Sequence, residues 1–370
     1  MSYESTAEPI KVGYLNDFKL PDNYPKVMFD DFHDIFDLVF KTGLENRVID
    51  RPVQIIYKEV EGLPKGTIKS VIRAYEEFVD EGCLAVFGPH ISDNALPLKE
   101  EIESRFRIPA LSVTGTEDWL GEWTFSLPMG SLTDEPVIWA QLMAKRGLKT
   151  VGALVEQSVP GHTYISNFRR VCGTYGISLI AEEHIPQTAQ SVADEVARLH
   201  KAKPDALLHC GFGFGVVFVN GELQKLKWDP PRFMGTAFQN AWINPVMWKG
   251  MLGWTGLDNF DEQNPVRDEF LDKYEAAYGR RPQYCLPPVN RDIATLFLHA
   301  FADAHPLTPR GVRDALERIK MLPAASGARG TRLSFGKYMH RGWVGADYLV
   351  ARELDPDGVN SRLVARYGEL

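Results

Sequence analysis

The sequence of 370 residues contains only four cysteines, and they lie far apart. They show none of the short Cys–Cys or Cys–His spacings of a metal site. Two of them, Cys83 and Cys210, border apolar runs, where a free thiol behaves as a small hydrophobic side chain. We therefore expect reduced cysteines in the core rather than disulfides, which favours a reducing compartment.

Long apolar runs and clusters of basic residues are also missing. No stretch of about 18 apolar residues could span a bilayer, so we expect no direct membrane insertion. The formal net charge is −8 with scattered Lys and Arg, which argues against a nucleic acid partner. The start MSYESTAEPI lacks the basic and apolar segments of a secretory leader. We expect a cytoplasmic protein if Met1 is the native start, and a periplasmic one if a leader was removed.

Catalytic signatures are absent as well. The sequence has no GxSxG elbow, HExxH motif, P-loop, kinase motif set or Cys–His pair. One cluster, Asp30, Asp31, His33 and Asp34, resembles a metal set, but its residues fall around a helix and suit a solvated first turn. We expect no enzyme, no catalytic residue, no metal and no cofactor.

The chain does contain a regular alternation of strands and helices. The length exceeds that at which a single core keeps growing, so two domains are expected. Strand-like runs such as IKVGYL, PVQIIYKEV, CLAVFGP and IPALSV alternate with helical segments, and the alternation restarts near residue 131. This pattern predicts an α/β fold of two similar lobes, each with a parallel sheet flanked by helices.

The segment from Phe87 to Thr116 is the most informative part of the chain. Two strands in succession end in hydroxyl-bearing turns, and parallel strands deliver such turns to the edge of the sheet where ligands bind. The alternative is simple helix capping, for which Ser and Thr are common. The candidate ligand-binding residues of these two turns are Ser92, Ser112, Thr114 and Thr116.

The same segment resembles a known family. Gly-Pro-x-x-Ser at 88–92 and Ile-Pro-x-Leu-Ser at 108–112 are similar to motifs of the type I periplasmic binding proteins. That family includes the leucine/isoleucine/valine-binding proteins of ABC transporters and cytoplasmic amide sensors. The resemblance implies two lobes joined by a three-strand hinge, with crossovers near 128–131, 253–256 and 334–337. The predicted N-terminal lobe is 8–130 plus 254–335, and the C-terminal lobe is 131–253 plus 336–370.

The resemblance also implies roles for individual residues. The two turns would bind the polar head of a ligand, with Ser92 and Thr116 acting through side chains and Thr114 mainly through its backbone. Ser112 would complete this set. Trp119, just beyond the second turn, would line the cleft, although packing in the core is an equally good reading of a tryptophan.

In the second lobe, the turn Gly211-Phe212-Gly213-Phe214-Gly215 follows a strand. Its GxGxG spacing departs from the dinucleotide fingerprint GxGxxG, so a nucleotide site is poorly supported. The resemblance implies that this turn faces the cleft and that Phe214 covers the ligand, with core packing as the alternative. Phe238 and Gln239, in the loop after PRFMG, are the other candidates in this lobe.

Two departures from the family concern the ligand. The loop VEQSVPGHTY lacks the usual Tyr-Gly pair, and TAFQN lacks the acid that holds a ligand ammonium. A buried ammonium without a counter-charge costs several kcal/mol. We therefore expect a carboxylate or amide head with an apolar or aromatic body rather than an ordinary α-amino acid.

The predicted function is that of the solute-binding protein of an ABC-type importer. It would capture a small organic ligand in an interlobe cleft by hinge closure and deliver it to a permease. The alternative is a cytoplasmic small-molecule sensor of the same fold that regulates a protein partner.

Overall fold

The computed structural model describes residues 7–19 and 26–370. The first six residues, on which the expectation about a leader partly depends, lie outside the described residues. The chain forms two compact units. Unit 1 comprises the described residues up to Met129 together with Glu262–Gly345, and unit 2 comprises Gly130–Asp261 and Ala346–Leu370.

Unit 1 contains one parallel sheet and its flanking helices. Its first stretch runs through β1 (Ile10–Asn16), α1 (Lys26–Glu45), β2 (Val53–Glu59), α2 (Ile68–Asp80), β3 (Ala85–Phe87), α3 (Ser92–Glu101), β4 (Ala110–Ser112) and β5 (Thr124–Ser126). The strands lie in the order β2-β1-β3-β4-β5, and every pairing between them is parallel.

Helix α2 illustrates why these segments fold as they do. Thr67 caps it, because the Thr67 hydroxyl oxygen accepts the N–H of Ser70 at 3.3 Å. Val71, Tyr75 and Phe78 recur at helical spacing and are buried. They pack with strand and helix residues of the same unit into one apolar cluster, which holds α2 and α3 against the sheet.

Unit 2 begins with α4 (Asp134–Lys145), β6 (Thr150–Glu156), α5 (Val159–Val171), β7 (Ser178–Ile185), α6 (Ala193–Ala202), β8 (Ala206–Cys210), α7 (Val216–Leu226), β9 (Arg232–Met234), α8 (Pro245–Met251) and β10 (Trp254–Asp258). The chain then returns to unit 1 for α9 (Pro265–Tyr278), α10 (Leu286–Asp303), α11 (Pro309–Arg318), β11 (Leu322–Pro323) and β12 (Arg332–Leu333). It ends in unit 2 with β13 (Val350–Leu354) and β14 (Ser361–Arg366).

The sheet of unit 2 has the order β14-β13-β10-β9-β8-β6-β7. Its strands from β6 to β10 pair in parallel, whereas β13 and β14 are antiparallel additions at one edge. The predicted fold of two α/β lobes with parallel sheets and flanking helices is therefore confirmed. The antiparallel edge is a feature that the sequence pattern did not predict.

The two units divide the chain at somewhat different residues from those expected. Residues 254–261 were assigned to the N-terminal lobe, but β10 pairs with β9 and β13 and belongs to unit 2. Residues 336–345 were assigned to the C-terminal lobe, but they belong to unit 1, where the N–H of Ser334 donates to the backbone oxygen of Gly342 at 2.8 Å. Strand pairing, which the sequence does not show, sets these limits.

Within the part of the chain that the structure describes, no helix is long and apolar enough to cross a membrane. All four cysteines are buried, and no disulfide joins any of these described residues. Burial raises the pKa of the Cys83 thiol to about 12, so this thiol stays protonated and packs as an apolar group.

Candidate functional site

The first set of candidate residues lies at one edge of the unit 1 sheet. Strands β3 and β4 are neighbours and parallel, so their carboxyl ends meet at the same edge. Strand β3 leads through a short turn into α3, which begins at Ser92. Strand β4 ends at Ser112 and continues into the turn that contains Thr114 and Thr116. The structure thus brings the four predicted hydroxyl residues to adjacent strand ends.

The turn before α3 is held in place by Asp17, which follows β1 and is completely buried. One carboxylate oxygen of Asp17 accepts the N–H of His90 at 2.7 Å. The other accepts the N–H of Ile91 at 3.1 Å and the side-chain amide of Asn94 at 2.8 Å. Sequence reasoning missed this role, for which the signal in the sequence was an acid directly after a strand.

Gly88 is required at the start of this turn. Its φ of 114° lies in the region that favours glycine. A Cβ at this position would lie 2.5 Å from the backbone oxygen of Leu15. The turn can therefore pass close to β1 only because residue 88 has no side chain.

Ser92 and Thr116 present hydrogen-bond donors that the protein itself does not use. The Ser92 side chain is buried, yet its hydroxyl has no hydrogen-bond partner among the described residues. The Thr116 hydroxyl oxygen accepts the N–H of Asp118 at 3.3 Å, and its proton has no acceptor in the described parts of the chain. Such a set suits an acceptor or an anion.

Ser112 and Thr114 have a different role from their neighbours. The Ser112 hydroxyl donates to the backbone oxygen of Pro89 at 2.7 Å and accepts the N–H of Thr114 at 3.0 Å. The backbone oxygen of Thr114 accepts the hydroxyl of Ser126 at 2.8 Å. Both side chains are buried. Ser112 is therefore fully engaged in joining the two turns, and the structure corrects its predicted role as a direct ligand contact.

Trp119 occupies the core position that was the alternative to lining the cleft. It is completely buried in the apolar cluster of unit 1. Its indole N–H donates to the backbone oxygen of Phe125 at 2.8 Å. The residue stabilises the turn after Thr116 from inside the core, and it has no exposed face to offer a ligand.

In unit 2, the glycine-rich turn after β8 encloses a carboxylate from the same chain. Glu156, the last residue of β6, is completely buried. It accepts the N–H groups of Phe212 at 2.6 Å and Gly213 at 3.0 Å, and it lies 3.2 Å from Nε2 of His209. The N–H groups that a phosphate would need are thus occupied. A phosphate could not use these two N–H groups while Glu156 accepts them.

The two phenylalanines predicted as ligand contacts in this lobe differ in their exposure to solvent. The Phe214 side chain is 43% exposed and stacks on Phe212 with ring centroids 6.4 Å apart. Phe238 is completely buried in the apolar cluster of unit 2. Phe238 packs so closely against β10 that a Cβ on Gly256, a residue of this strand, would lie 2.2 Å from the Phe238 ring. Phe214 remains available to a ligand, whereas Phe238 is a core residue, contrary to its predicted role.

Gln239 lies beside Phe238 in a 3-10 helix, Thr236–Ile243. Its side-chain amide donates to the Asn259 side-chain oxygen at 2.7 Å, and Asn259 donates in turn to the backbone oxygen of Tyr348 at 3.0 Å. The Gln239 side-chain oxygen is buried and has no partner among the described residues. The residue therefore retains one unused acceptor.

An acid on α4 lies beside the end of β9. Sequence reasoning missed it because the two elements are far apart in the chain. Glu135 is completely buried and accepts the N–H of Ser131 at 2.7 Å and the N–H of Thr236 at 2.9 Å. Desolvation raises the pKa of Glu135 to about 7. Hydrogen bonds from Tyr164, Thr236 and Ser131 favour the charged form and oppose this rise, but the effect of burial is larger. A Cβ on Gly130 would lie 2.0 Å from this carboxylate. The acid is enclosed by its own unit.

Within the described ranges, no group of three or more His, Cys, Asp or Glu side chains is arranged to hold a metal ion. Two residues of the acidic cluster on α1, Asp31 and Asp34, instead pair with Arg280 in the loop between α9 and α10. Asp31 is buried and accepts Arg280 Nε at 2.8 Å, and Asp34 accepts Arg280 at 2.6 Å. This cluster is structural.

The family assignment follows from sequence and fold together. Residues 9–346 match the family model described as periplasmic binding protein, so the chain belongs to this family. Members of the family are binding proteins, and the predicted resemblance is confirmed. No curated protein gives a significant match to the chain.

Solved structures share the fold of the chain at low sequence identity. A type 1 periplasmic binding protein from Bordetella pertussis Tohama I is 18% identical, with a TM-score of 0.80, and the match covers 97% of this chain and 100% of that one. A leucine-binding protein from Thermotoga maritima is 14% identical, with a TM-score of 0.77 over 96% and 98% of the two chains. An ABC transporter substrate-binding protein from Desulfitobacterium hafniense, in complex with Leu, is 16% identical, with a TM-score of 0.76 over 96% and 100%.

Proposed function

We propose that the chain is the solute-binding protein of an ABC-type importer and that it captures a small carboxylate or amide. The observation that carries this proposal is the pair of unused hydroxyl donors on Ser92 and Thr116, at the ends of neighbouring strands. Two donors on rigid turns suit the two oxygens of a carboxylate, or the single oxygen of an amide. Family membership supports a binding role for this edge.

The body of the ligand is proposed to be apolar or aromatic, without a free ammonium. Two acids near strand ends of unit 2, Glu156 at the end of β6 and Glu135 on α4, are both buried and hydrogen-bonded within that unit. Neither offers a carboxylate to a ligand amine, and an unpaired buried charge is costly. The exposed Phe214 offers an apolar surface instead. As the family resemblance implies, unit 2 would close over the bound ligand. The ligand would favour the closed state to the extent that it binds that state more tightly than the open one.

Thermal unfolding in the presence of small ligands tests this proposal. The panel contains aliphatic and aromatic carboxylates, their primary amides and the corresponding α-amino acids. A ligand present at one hundred times its dissociation constant stabilises the folded state by about 2.7 kcal/mol. We expect carboxylates or amides to raise the midpoint more than the α-amino acids of the same side chain. A response to α-amino acids alone would contradict the proposed ligand class.

The importer and the predicted sensor differ in what happens after binding. Deletion of the gene should abolish uptake of a radiolabelled ligand from the panel if the chain serves an importer. Unchanged uptake in the deletion strain would instead favour the sensor that regulates a protein partner.

A further inference from the structure

His90 is the side chain at the unit 1 edge that the proposed carboxylate site leaves unexplained. It lies in the turn between β3 and α3, two residues before Ser92, and its side chain is 16% exposed. The ring stacks on Tyr14 at 5.8 Å and meets Phe87 edge to face at 5.0 Å. Phe18, two residues after the end of β1, has its ring centroid 6.1 Å from that of His90. The imidazole is therefore fixed in an aromatic setting with one side open.

The two ring nitrogens of His90 have different surroundings. Nδ1 is buried and has no hydrogen-bond partner among the described residues. It lies 3.6 Å from the carboxylate of Asp17, which is too long for a hydrogen bond. The negative charge of Asp17 nevertheless favours a hydrogen on the nitrogen that faces it. In the neutral ring, Nε2 then carries the lone pair and acts as an acceptor.

Nε2 is the open nitrogen of the ring. It is not among the buried side-chain nitrogens that lack a partner, and no described residue bonds to it. Ser92, two residues further along the same turn, offers a donor, so this turn carries both an acceptor and a donor. A ligand that fits both must carry an acceptor head and a separate donor.

We propose that His90 is a specificity-determining residue that accepts a hydrogen bond from a hydroxyl on the ligand. This inference rests on the proposed function, because it places a hydroxylated carboxylic acid at the same edge that binds the carboxylate head. An amine is a poorer match, since the nearby Asp17 carboxylate is completely buried and occupied by backbone N–H groups. A ligand without the hydroxyl would bury Nε2 unpaired, and such a loss discriminates strongly between close analogues.

Matched pairs of acids test this inference. Calorimetric or fluorescence titration would compare phenylacetate with mandelate and 4-hydroxyphenylacetate, and isovalerate with 2-hydroxyisovalerate. We expect at least one hydroxylated acid to bind the wild-type protein about tenfold more tightly than its parent, the factor that a hydrogen bond of about 1.4 kcal/mol provides. His90→Leu should bring that ratio to within about twofold while the parent acid still binds. His90→Gln, which keeps an acceptor oxygen, should retain part of the preference.

The outcomes separate this inference from the proposed function. Equal affinity of the wild-type protein for both members of every pair, or a preference that persists in His90→Leu, would overturn the role of His90 and leave the carboxylate site intact. Failure of every acid to bind would overturn the proposed carboxylate site and this inference with it. His305→Leu is the matched control, because His305 is an exposed histidine of the same unit, and it should leave all ratios unchanged.

Discussion

The carboxylate of Glu156, at the end of β6, accepts the backbone N–H of Phe212, in the turn after β8, at 2.6 Å. Both strands belong to one parallel sheet and are paired. The glycine-rich turn is thus built around an anion that the protein supplies itself. This relationship fixes the backbone that presents Phe214 at the surface, and it gives a direct way to test how the turn is held.

We expect Glu156→Gln to lower the free energy of unfolding by about 1–3 kcal/mol, because the new amide group would face backbone N–H donors and leave one of them unpaired. Denaturant unfolding monitored by tryptophan fluorescence measures this change. Glu269→Gln is the control, since Glu269 is 70% exposed and, among the described residues, forms its ion pair with Lys273 on the same helix. Its effect should stay within about 0.5 kcal/mol. Equal effects of the two substitutions would contradict the role of Glu156 in holding the turn after β8.

The glycine of this turn that approaches Glu156 most closely gives an independent test. Gly211 has a φ of 148°, and a Cβ would lie 2.4 Å from the Glu156 carboxylate. We expect Gly211→Ala to destabilise the protein by about 1–3 kcal/mol. The control is Gly221→Ala in α7, where a Cβ would meet nothing within 4 Å, and it should stabilise by about 0.5–1 kcal/mol. A stabilising effect at both positions would show that the turn adjusts freely.

The sequence predicted much of the fold because the relevant signals are local. Hydrophobic runs gave the alternation of elements, and helix starts also carry local signals, such as Thr308, which caps α11, and Pro309 in its first turn. The limits of the lobes were harder, because they depend on which strand pairs with β10. That pairing joins residues about one hundred positions apart, such as Thr255 and Glu353, and leaves no local signal.

For the candidate site, sequence reasoning found the polar turns but not the direction in which each side chain points. Ser92 and Ser112 look equivalent in the sequence, yet the first has an unused hydroxyl and the second donates to Pro89. Trp119 and Phe238 were candidates because they follow strand-end turns, and both are core residues. The supporting acids Asp17 and Glu135 were missed because each acts on residues more than 70 positions away.

Glu135 predicts a specific dependence of stability on pH. Desolvation raises its pKa from 4.5 to about 7 in the folded state, so between these values the folded protein binds more protons than the unfolded chain. The free energy of unfolding should therefore fall as the pH rises from about 4.5 to 7 and level off above that. The contribution of this group is roughly 3 kcal/mol.

Glu135→Gln removes the titrating group and isolates this contribution. The difference in unfolding free energy between wild type and variant should change by that amount between pH 4.5 and pH 8, in favour of the variant at high pH. Urea unfolding at a series of pH values measures it. A constant difference across the range would show that Glu135 has the same pKa folded and unfolded.

The last prediction separates ligand binding by Thr116 from its role as a cap. The Thr116 hydroxyl accepts the N–H of Asp118 at 3.3 Å, and the Thr67 hydroxyl accepts the N–H of Ser70 at the same distance at the start of α2. If Thr116 served only as a cap, Thr116→Ala and Thr67→Ala would both lower stability and leave ligand affinity unchanged. We expect Thr116→Ala instead to weaken ligand binding by about 1–3 kcal/mol, because the ligand loses a donor in a buried site. Thr116→Ser keeps the hydroxyl and should bind nearly as well as the wild type. Titration of the three variants with a carboxylate from the thermal panel measures the affinities, and an unchanged affinity in Thr116→Ala would remove Thr116 from the site.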